Sequence, residues 1–289
     1  MTGCALAFLS RLLCLMPGRL ADGFGSALGL LAHSLDRKHR ERARSNLRMV
    51  FPDWSDDKVR RVARKVFAHF GKTGARFLRA PALSREQVLA SVRCEGMDLI
   101  HEALGEGKGA ILVTAHIGNW ERMAHYFSLN GIPLSVIARD ANDQVSNQVV
   151  NRTRRSQGFE VYSRTTAARR VLRDLQQNRC VGILPDQNAQ EAFVPFFGKP
   201  AGTVLGPATF HLHTNAPILA TFCIESHDGS YDVVVSRLDL PERTGNREAD
   251  AAAIMARINE AIEQAVREHP EQWLWLHDRW RSARQEGLL

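Results

Sequence analysis

No stretch of this sequence reaches the roughly 20 consecutive apolar residues that a membrane-spanning helix requires. The two apolar runs near the amino end, Cys4 to Met16 and Phe24 to Leu35, are short; Arg11 interrupts the first, and Pro17-Gly18-Arg19 with Asp22 separates them. A secretory signal is not indicated either, because the basic n-region is missing and no convincing A-x-A cleavage site follows. Cysteine is sparse: Cys4, Cys14, Cys94, Cys180 and Cys223 form no C-x-x-C pair and are odd in number. That argues against a disulfide framework or a zinc ribbon and for reduced thiols in a cytosol-facing protein. Lysine is scarce too, at six of the 38 basic residues. Internal repeats, low-complexity linkers and recognisable nucleic-acid modules are absent.

What is present is a core-forming chain. With 289 residues, 44% of them hydrophobic, it is long enough for one large α/β domain and too apolar to be mainly disordered. The net charge of +7 rests mostly on arginine. A planar guanidinium suits phosphate and carboxylate, so phospholipid headgroups, phosphosugars or an acidic carrier protein are candidate partners. Arginine bias also follows from coding composition, so charge alone selects none of them. The tract Asp36 to Arg48 carries six basic residues against two acids and follows directly on the apolar runs. Amphipathic segments beside a basic tract suit an anionic membrane surface, at about 1 kcal/mol per basic residue close to that surface. A solvated helix face is the alternative.

From residue 51 onward the periodicity alternates. Ser55, Asp56 and Asp57 cap a helix running to about Arg79, and Ser84 to Gln87 is a capping box. Val92 to Cys94 reads as an edge strand. Helices are predicted over Met97 to Leu104, Asn119 to Leu129, Val145 to Ser156 and Thr166 to Gln177, interleaved with strands Ala110 to Ala115, Leu134 to Arg139, Phe159 to Tyr162 and Cys180 to Leu184. That alternation predicts βαβ units and a mostly parallel sheet. Pro217 to Ile224 and Tyr231 to Ser236 flank Asp228-Gly229, a hairpin signal that makes the sheet mixed. Helices Glu248 to Glu268 and from Glu271 onward close the chain, the last carrying Trp273, Trp275 and Trp280. Phe193 to Pro200 is aromatic and rich in Pro and Gly, suiting a lid over an acyl chain, a membrane contact or core packing.

Gly109 to Glu121 is the stretch on which chemistry is expected. A buried strand ends at a Gly-containing turn, Asn119 caps the next helix, and Glu121 lies in its first turn. His116 therefore stands at the carboxyl end of a strand, where open α/β sheets put their ligands, with Glu121 able to fold back towards it. The spacing of a histidine and an acid five positions later recurs at His101 to Glu106 and His227 to Asp232, but only His116 lies between a buried strand and a capped helix. A neutral imidazole there can take a proton from an attacking hydroxyl while a carboxylate fixes its tautomer. No G-x-S-x-G elbow or nucleophilic cysteine is evident, which favours direct attack by an acceptor. Oxyanion donors could come from the Ile117 to Asn119 amides or a nearby arginine. Asn151 to Gly158 ends a helix with three arginines, and Val181 to Gln187 is a strand ending in Asp186 at the same sheet edge, where the acid can steer an arginine or the histidine. A metal-dependent hydrolase using His116, Glu121 and His125 is a weaker reading, because the spacing is not H-E-x-x-H. A non-catalytic lipid-binding protein is a third.

A-H-I-G-N-W-E at 115–121, the R-R-x-x-G region at 154–158, L-P-D-Q at 184–187, F-V-P-F-F-G-K-P at 193–200 and P-E-Q-W-L-W-L-H-D-R-W at 270–280 occur in this order. Together with N-L-R-M-V-F-P at 46–52, they make the chain resemble the bacterial lipid A biosynthesis acyltransferases over almost its whole length. The resemblance implies an α/β fold like that of glycerolipid acyltransferases, with a mixed, mostly parallel sheet flanked by helices. It implies an organisation into residues 1–50, amphipathic membrane-associating helices with a basic tract, and residues 51–289, the acyltransferase domain. It further implies a place on the cytosolic face of the inner membrane, acyl-acyl carrier protein as donor, a lipid hydroxyl as acceptor, and neither metal nor cofactor. Carried over by motif, His116 is the general base and Glu121 its partner, Gly118 keeps the turn open and Asn119 lies beside it at the substrate, while Arg154 and Asp186 complete the site. Arg155 competes with Arg154 for the arginine role. The family's tyrosine-arginine-proline reads Ala138-Arg139-Asp140 here, a departure that bears on the acceptor; relatives using the same chemistry act on ornithine lipids or pigment precursors.

Overall fold

The computed structural model describes residues 3–138 and 144–289; Arg139 and Asp140, where the family tripeptide departs, lie outside the described residues. Seven strands form the main sheet: β1 (Val92–Glu95), β2 (Ala110–Val113), β3 (Leu134–Ala138), β4 (Glu160–Ser163), β5 (Cys180–Ile183), β8 (Ile218–Glu225) and β9 (Tyr231–Arg237), in the order β1-β9-β8-β2-β5-β3-β4. All neighbours are parallel except the β8–β9 hairpin. A separate antiparallel pair, β6 (Ala192–Phe196) and β7 (Lys199–Thr203), lies between β5 and β8 in the chain.

Twelve α-helices accompany the described strands. They are α1 (Gly3–Leu15), α2 (Gly18–Leu35), α3 (Arg37–Val50), α4 (Asp56–Arg79), α5 (Arg85–Ala90), α6 (Met97–Gly105), α7 (Trp120–Leu129), α8 (Gln144–Ser156), α9 (Ala167–Gln176), α10 (Gly206–Thr214), α11 (Arg247–Glu268) and α12 (Arg281–Gln285). The starts are sequence-encoded: Ser55 Oγ accepts from the Lys58 amide at α4, and Ser84 and Gln87 close a reciprocal capping box at α5. Alternation along the strands divides two cores. Ile111, Val113, Val181, Ile183 and Ile218 face the α9, α10 and α11 side, while Ala110, Leu112, Cys180 and Leu219 face α6 and α7. β2 lies between β5 and β8, and its four residues are buried, as expected of a central parallel strand covered on both faces.

The amino-terminal helices pack on α4. α2 approaches it so closely that a Cβ on Gly29 would fall 2.0 Å from the Phe67 carbonyl oxygen, and one on Gly71 2.2 Å from that of Gly25. No described helix is long and apolar enough to cross a membrane.

Of the three readings of Phe193 to Pro200, core packing is the one observed: the segment belongs to the β6–β7 hairpin, and Phe196 and Phe197 are buried against Trp273, Trp275 and Trp280. One sequence expectation is corrected: no single helix begins at Glu271. After a single 3-10 turn at Pro270–Gln272, Trp273 forms an antiparallel bridge with Ile117, the chain then passes through turns over 275–280, and helix resumes only at α12. The tryptophan spacing reflects a buried aromatic cluster rather than one helical face.

Candidate active site

The parallel register of β2 and β5 builds the centre of the site. Val113 pairs with Ile183, and His116 and Asp186 each lie three residues beyond that pair, so the two side chains emerge together at the carboxyl edge of the sheet. His116 Nδ1 lies 2.8 Å from Asp186 Oδ1, and the His116 amide donates to Asp186 Oδ2 at 2.8 Å. Oδ2 also accepts from the Trp273 indole at 2.9 Å. Asp186 is buried, and burial alone would raise its pKa; the imidazole charge and the bonds from His116 and Trp273 outweigh that and hold the carboxyl below its usual value. An ionised acceptor on Nδ1 makes that nitrogen the protonated one, leaving Nε2 with its lone pair. Nε2 lies 3.4 Å from Gln187 Nε2, at the limit of a hydrogen bond.

Glu121 has a different partner from the expected one. From the first turn of α7 it receives Arg154 Nε at 3.1 Å on both oxygens, Arg154 Nη2 on Oε1, and the Trp120 indole at 3.2 Å. The His116–Glu121 pairing is thus replaced by two pairs, His116 with Asp186 and Arg154 with Glu121. Burial works against the Arg154 charge, and the Glu121 carboxylate more than compensates. Trp120 stands between the pairs, its ring centroid 5.0 Å from that of His116. Arg154, in the last turn of α8, faces inward; Arg155, its rival, is exposed.

Gly118 and Asn119, expected at the substrate, belong to the turn behind it. Gly118 has φ +57°, and a Cβ there would lie 1.9 Å from the Cys223 carbonyl oxygen, so only glycine fits. Its amide donates to the Gln272 carbonyl and that of Asn119 to the Cys223 carbonyl, so neither is available to an oxyanion. The Asn119 side chain caps α7 at the Arg122 amide and donates to Tyr231 Oη at 2.8 Å. His69 Nε2 is 3.0 Å from the Gly118 carbonyl oxygen, the Leu274 amide donates to the His116 carbonyl, and Gln272 bonds both backbone groups of Glu225. The 270–280 segment is therefore a clamp on the His116–Asn119 turn, a role hidden by its reading as a packing helix. The one signal pointing to it is that a buried indole needs an acceptor.

A cavity of about 750 Å³ opens at His116. The exposed Arg164 and Arg281 stand at its edge, Glu121, Arg154, Gln187 and His277 also line it, and the rest of the lining is largely apolar. The Thr114 hydroxyl is buried on the lining without a hydrogen-bond partner among the described residues. His277 accepts from the Asn188 amide, and burial lowers its pKa to about 4. His116, Glu121 and His125 do not converge as a metal triad: no cluster of three or more potential His, Cys, Asp or Glu ligands occurs among the described residues.

A dyad at the mouth of an apolar cavity is chemistry that comparison with known proteins can place. The chain is 24% identical over 273 residues to a lipid A biosynthesis acyltransferase of Haemophilus influenzae, covering 93% of this chain and 84% of the relative. It is 24% identical over 270 residues to the lipid A biosynthesis myristoyltransferase of Escherichia coli, covering 91% and 82%. To a phosphatidylinositol mannoside acyltransferase of Mycolicibacterium smegmatis it is 25% identical over 277 residues, covering 93% and 88%. The bacterial lipid A biosynthesis acyltransferase profile matches residues 2–282. The protein is an acyltransferase and belongs to the bacterial lipid A biosynthesis acyltransferase family.

Proposed function

We propose that this protein transfers a fatty acyl group from acyl-acyl carrier protein to a hydroxyl of a membrane lipid, with a lipid A precursor as acceptor, at the cytoplasmic face of the inner membrane. The observation that carries the reading is the His116–Asp186 dyad at the mouth of an apolar-lined cavity. His116 Nε2 takes the acceptor hydroxyl proton as the oxygen attacks the thioester carbonyl carbon. Asp186 stabilises the imidazolium that forms. The C–S bond then breaks, and the imidazolium returns its proton to the departing pantetheine thiolate, giving an ester and a free carrier thiol.

With the Gly118 and Asn119 amides already bonded, the oxyanion falls to donors on the lining: Arg154, the Thr114 hydroxyl and the Gln187 amide. Glu121 acts as a positioning residue by holding Arg154. Arg164 and Arg281 at the mouth suit the phosphate of the carrier's pantetheine arm or of the acceptor headgroup.

Residues 1–50 would lie on the membrane and residues 51–289 carry the chemistry. Phe8, Leu12 and Leu15 follow one face of α1, and Leu20, Leu28, Leu31 and Leu35 one stripe of α2, all exposed. The exposed basic side of α3 follows directly and supplies attraction to anionic lipid. The acceptor is the finer point, because the mycobacterial relative acts on a phosphatidylinositol mannoside at similar identity.

The test is mass spectrometry of lipids from cells lacking the protein, complemented by wild type or by His116→Ala. A lipid that loses one acyl group and regains it only with wild type supports the reading, and the mass shift identifies chain and acceptor. Full restoration by His116→Ala would remove the histidine from the mechanism. Acyl-carrier donors compared with acyl-coenzyme A in a purified assay identify the donor.

A further inference from the structure

Gly182 occupies an unusual place for a glycine. It lies inside β5, in the interior of the sheet, in register with Leu112 of β2 on one side and Val136 of β3 on the other. Glycine within a strand costs about 0.5–1 kcal/mol relative to alanine. Its φ is not among the positive values, so the backbone conformation does not require it. A missing side chain in a strand interior often marks the close approach of another group. Here part of the answer is Val136, whose Cγ1 a methyl at this position would crowd at 3.2 Å, with the Ser135 carbonyl oxygen at 3.7 Å and Leu134 Cδ1 at 3.8 Å, and the other part is open space, because Gly182 lines the cavity.

The gap continues the cavity that opens at His116. Alternation turns Leu112, Gly182 and Val136 to the α7 side, where Met123, Ala124 and Phe127 lie above them. Phe127 and Phe159, both buried, line the same cavity at its inner side. Trp120 and Phe127 are about 10 Å apart along α7 at the helical rise, so this branch has the length of a linear chain. Between those two residues the lining on the α7 side is hydrocarbon and sulfur apart from Glu121, whose carboxylate is taken up by Arg154. A headgroup has no partner there, whereas a hydrocarbon tail does.

We propose that Gly182 determines acyl-chain specificity: the side chain it lacks leaves a channel beneath α7 that takes the transferred chain, and Phe127 and Phe159 close the far end. The inference rests on the acyl-transfer reading of the site and extends it to a residue that selects the donor. One carbon more or less against a closed apolar wall shifts discrimination by about tenfold or more.

The experiment uses the full chain with a homologous series of saturated free fatty acids as probes, read by thermal shift, and a matching series of acyl donors, read by product mass. In wild type, stabilisation rises with chain length and then stops. Gly182→Val moves that limit to shorter acids and donors, with affinity for the longest falling more than about tenfold while that for the shortest holds. Phe127→Leu moves the limit the other way. Gly182→Ala gives a smaller shift in the same direction as valine and carries the test should the valine variant fail to fold. An unchanged length profile in the glycine variants, an equal loss at every length, or no stabilisation of wild type by any acid overturns the proposal. Length-dependent binding without transfer from the offered donors keeps the channel and refutes the proposed donor and site reading, so the two failures are distinguishable.

Discussion

Asp186 holds His116 at two points, one carboxylate oxygen on the ring and the other on the main-chain amide of the same residue. The imidazole is thereby fixed in orientation and tautomer without any contribution from Glu121, whose oxygens are occupied by Arg154 and Trp120. Asp186→Asn is expected to lower kcat by on the order of 10³ with KM little changed, since the amide cannot stabilise an imidazolium. Glu121→Gln is expected to lower kcat by less than Asp186→Asn does, because it loosens the oxyanion donor Arg154 without removing it. Steady-state kinetics of the two variants separates the roles, and equal losses of kcat would put Glu121 into the chemistry.

The two adjacent arginines should behave differently. Arg154 faces the cavity and Arg155 the solvent. Arg154→Ala is expected to lower kcat/KM by on the order of 10²–10³, as loss of an oxyanion donor does, while Arg155→Ala stays within about twofold of wild type. Arg154→Lys should recover little, because the fork that spans both Glu121 oxygens is lost.

Acid should weaken the fold through two neutral histidines. Burial lowers both His277 and His125 to about 4, from an ordinary value of 6.5. Between those values the unfolded chain binds more protons than the folded one, so stability is complete above pH about 6.5, falls as pH drops through the window and levels off for these groups below about 4. Denaturant unfolding followed from pH about 7 to about 4 should show that slope, and the slope should diminish in His277→Gln.

Membrane attachment should depend on the exposed stripes of α1 and α2. Leu12→Asp combined with Leu31→Asp is expected to abolish co-sedimentation with anionic vesicles, leaving thermal stability near wild type because both side chains are exposed. Binding of the unmodified protein should weaken as salt rises, reflecting the basic side of α3.

Much of this was legible in the sequence. Continuous apolar runs, helical periodicity and turn signals locate β2, β5, α7 and the β8–β9 hairpin because those elements are strongly punctuated, and the edge position of His116 and Asp186 follows from parallel strands ending together. The choice of carboxylate for His116 was not legible. Glu121 is closer along the chain, but the direction of its side chain depends on the left-handed Gly118 turn, which aims the first turn of α7 at Arg154. The clamp from residues 270–280 was hidden for another reason: the partner of Trp273 is Ile117, far away in sequence, and three tryptophans at short spacing imitate a helical stripe. The β6–β7 hairpin, with Pro195 and Pro200 facing each other, carries proline in strands and so reads as loop.

The contact of α2 with α4 at Gly29 and Gly71 brings main chain directly against main chain. Such a joint neither slides nor swivels without breaking main-chain contact, and α4 in turn reaches the Gly118 carbonyl through His69. The height of His116 above whatever surface supports α2 is therefore set by the geometry of the fold. On the proposed membrane placement of α2, an acceptor whose hydroxyl lies at another depth has to travel to the enzyme, which makes vertical position a selector of substrate independent of any contact in the pocket.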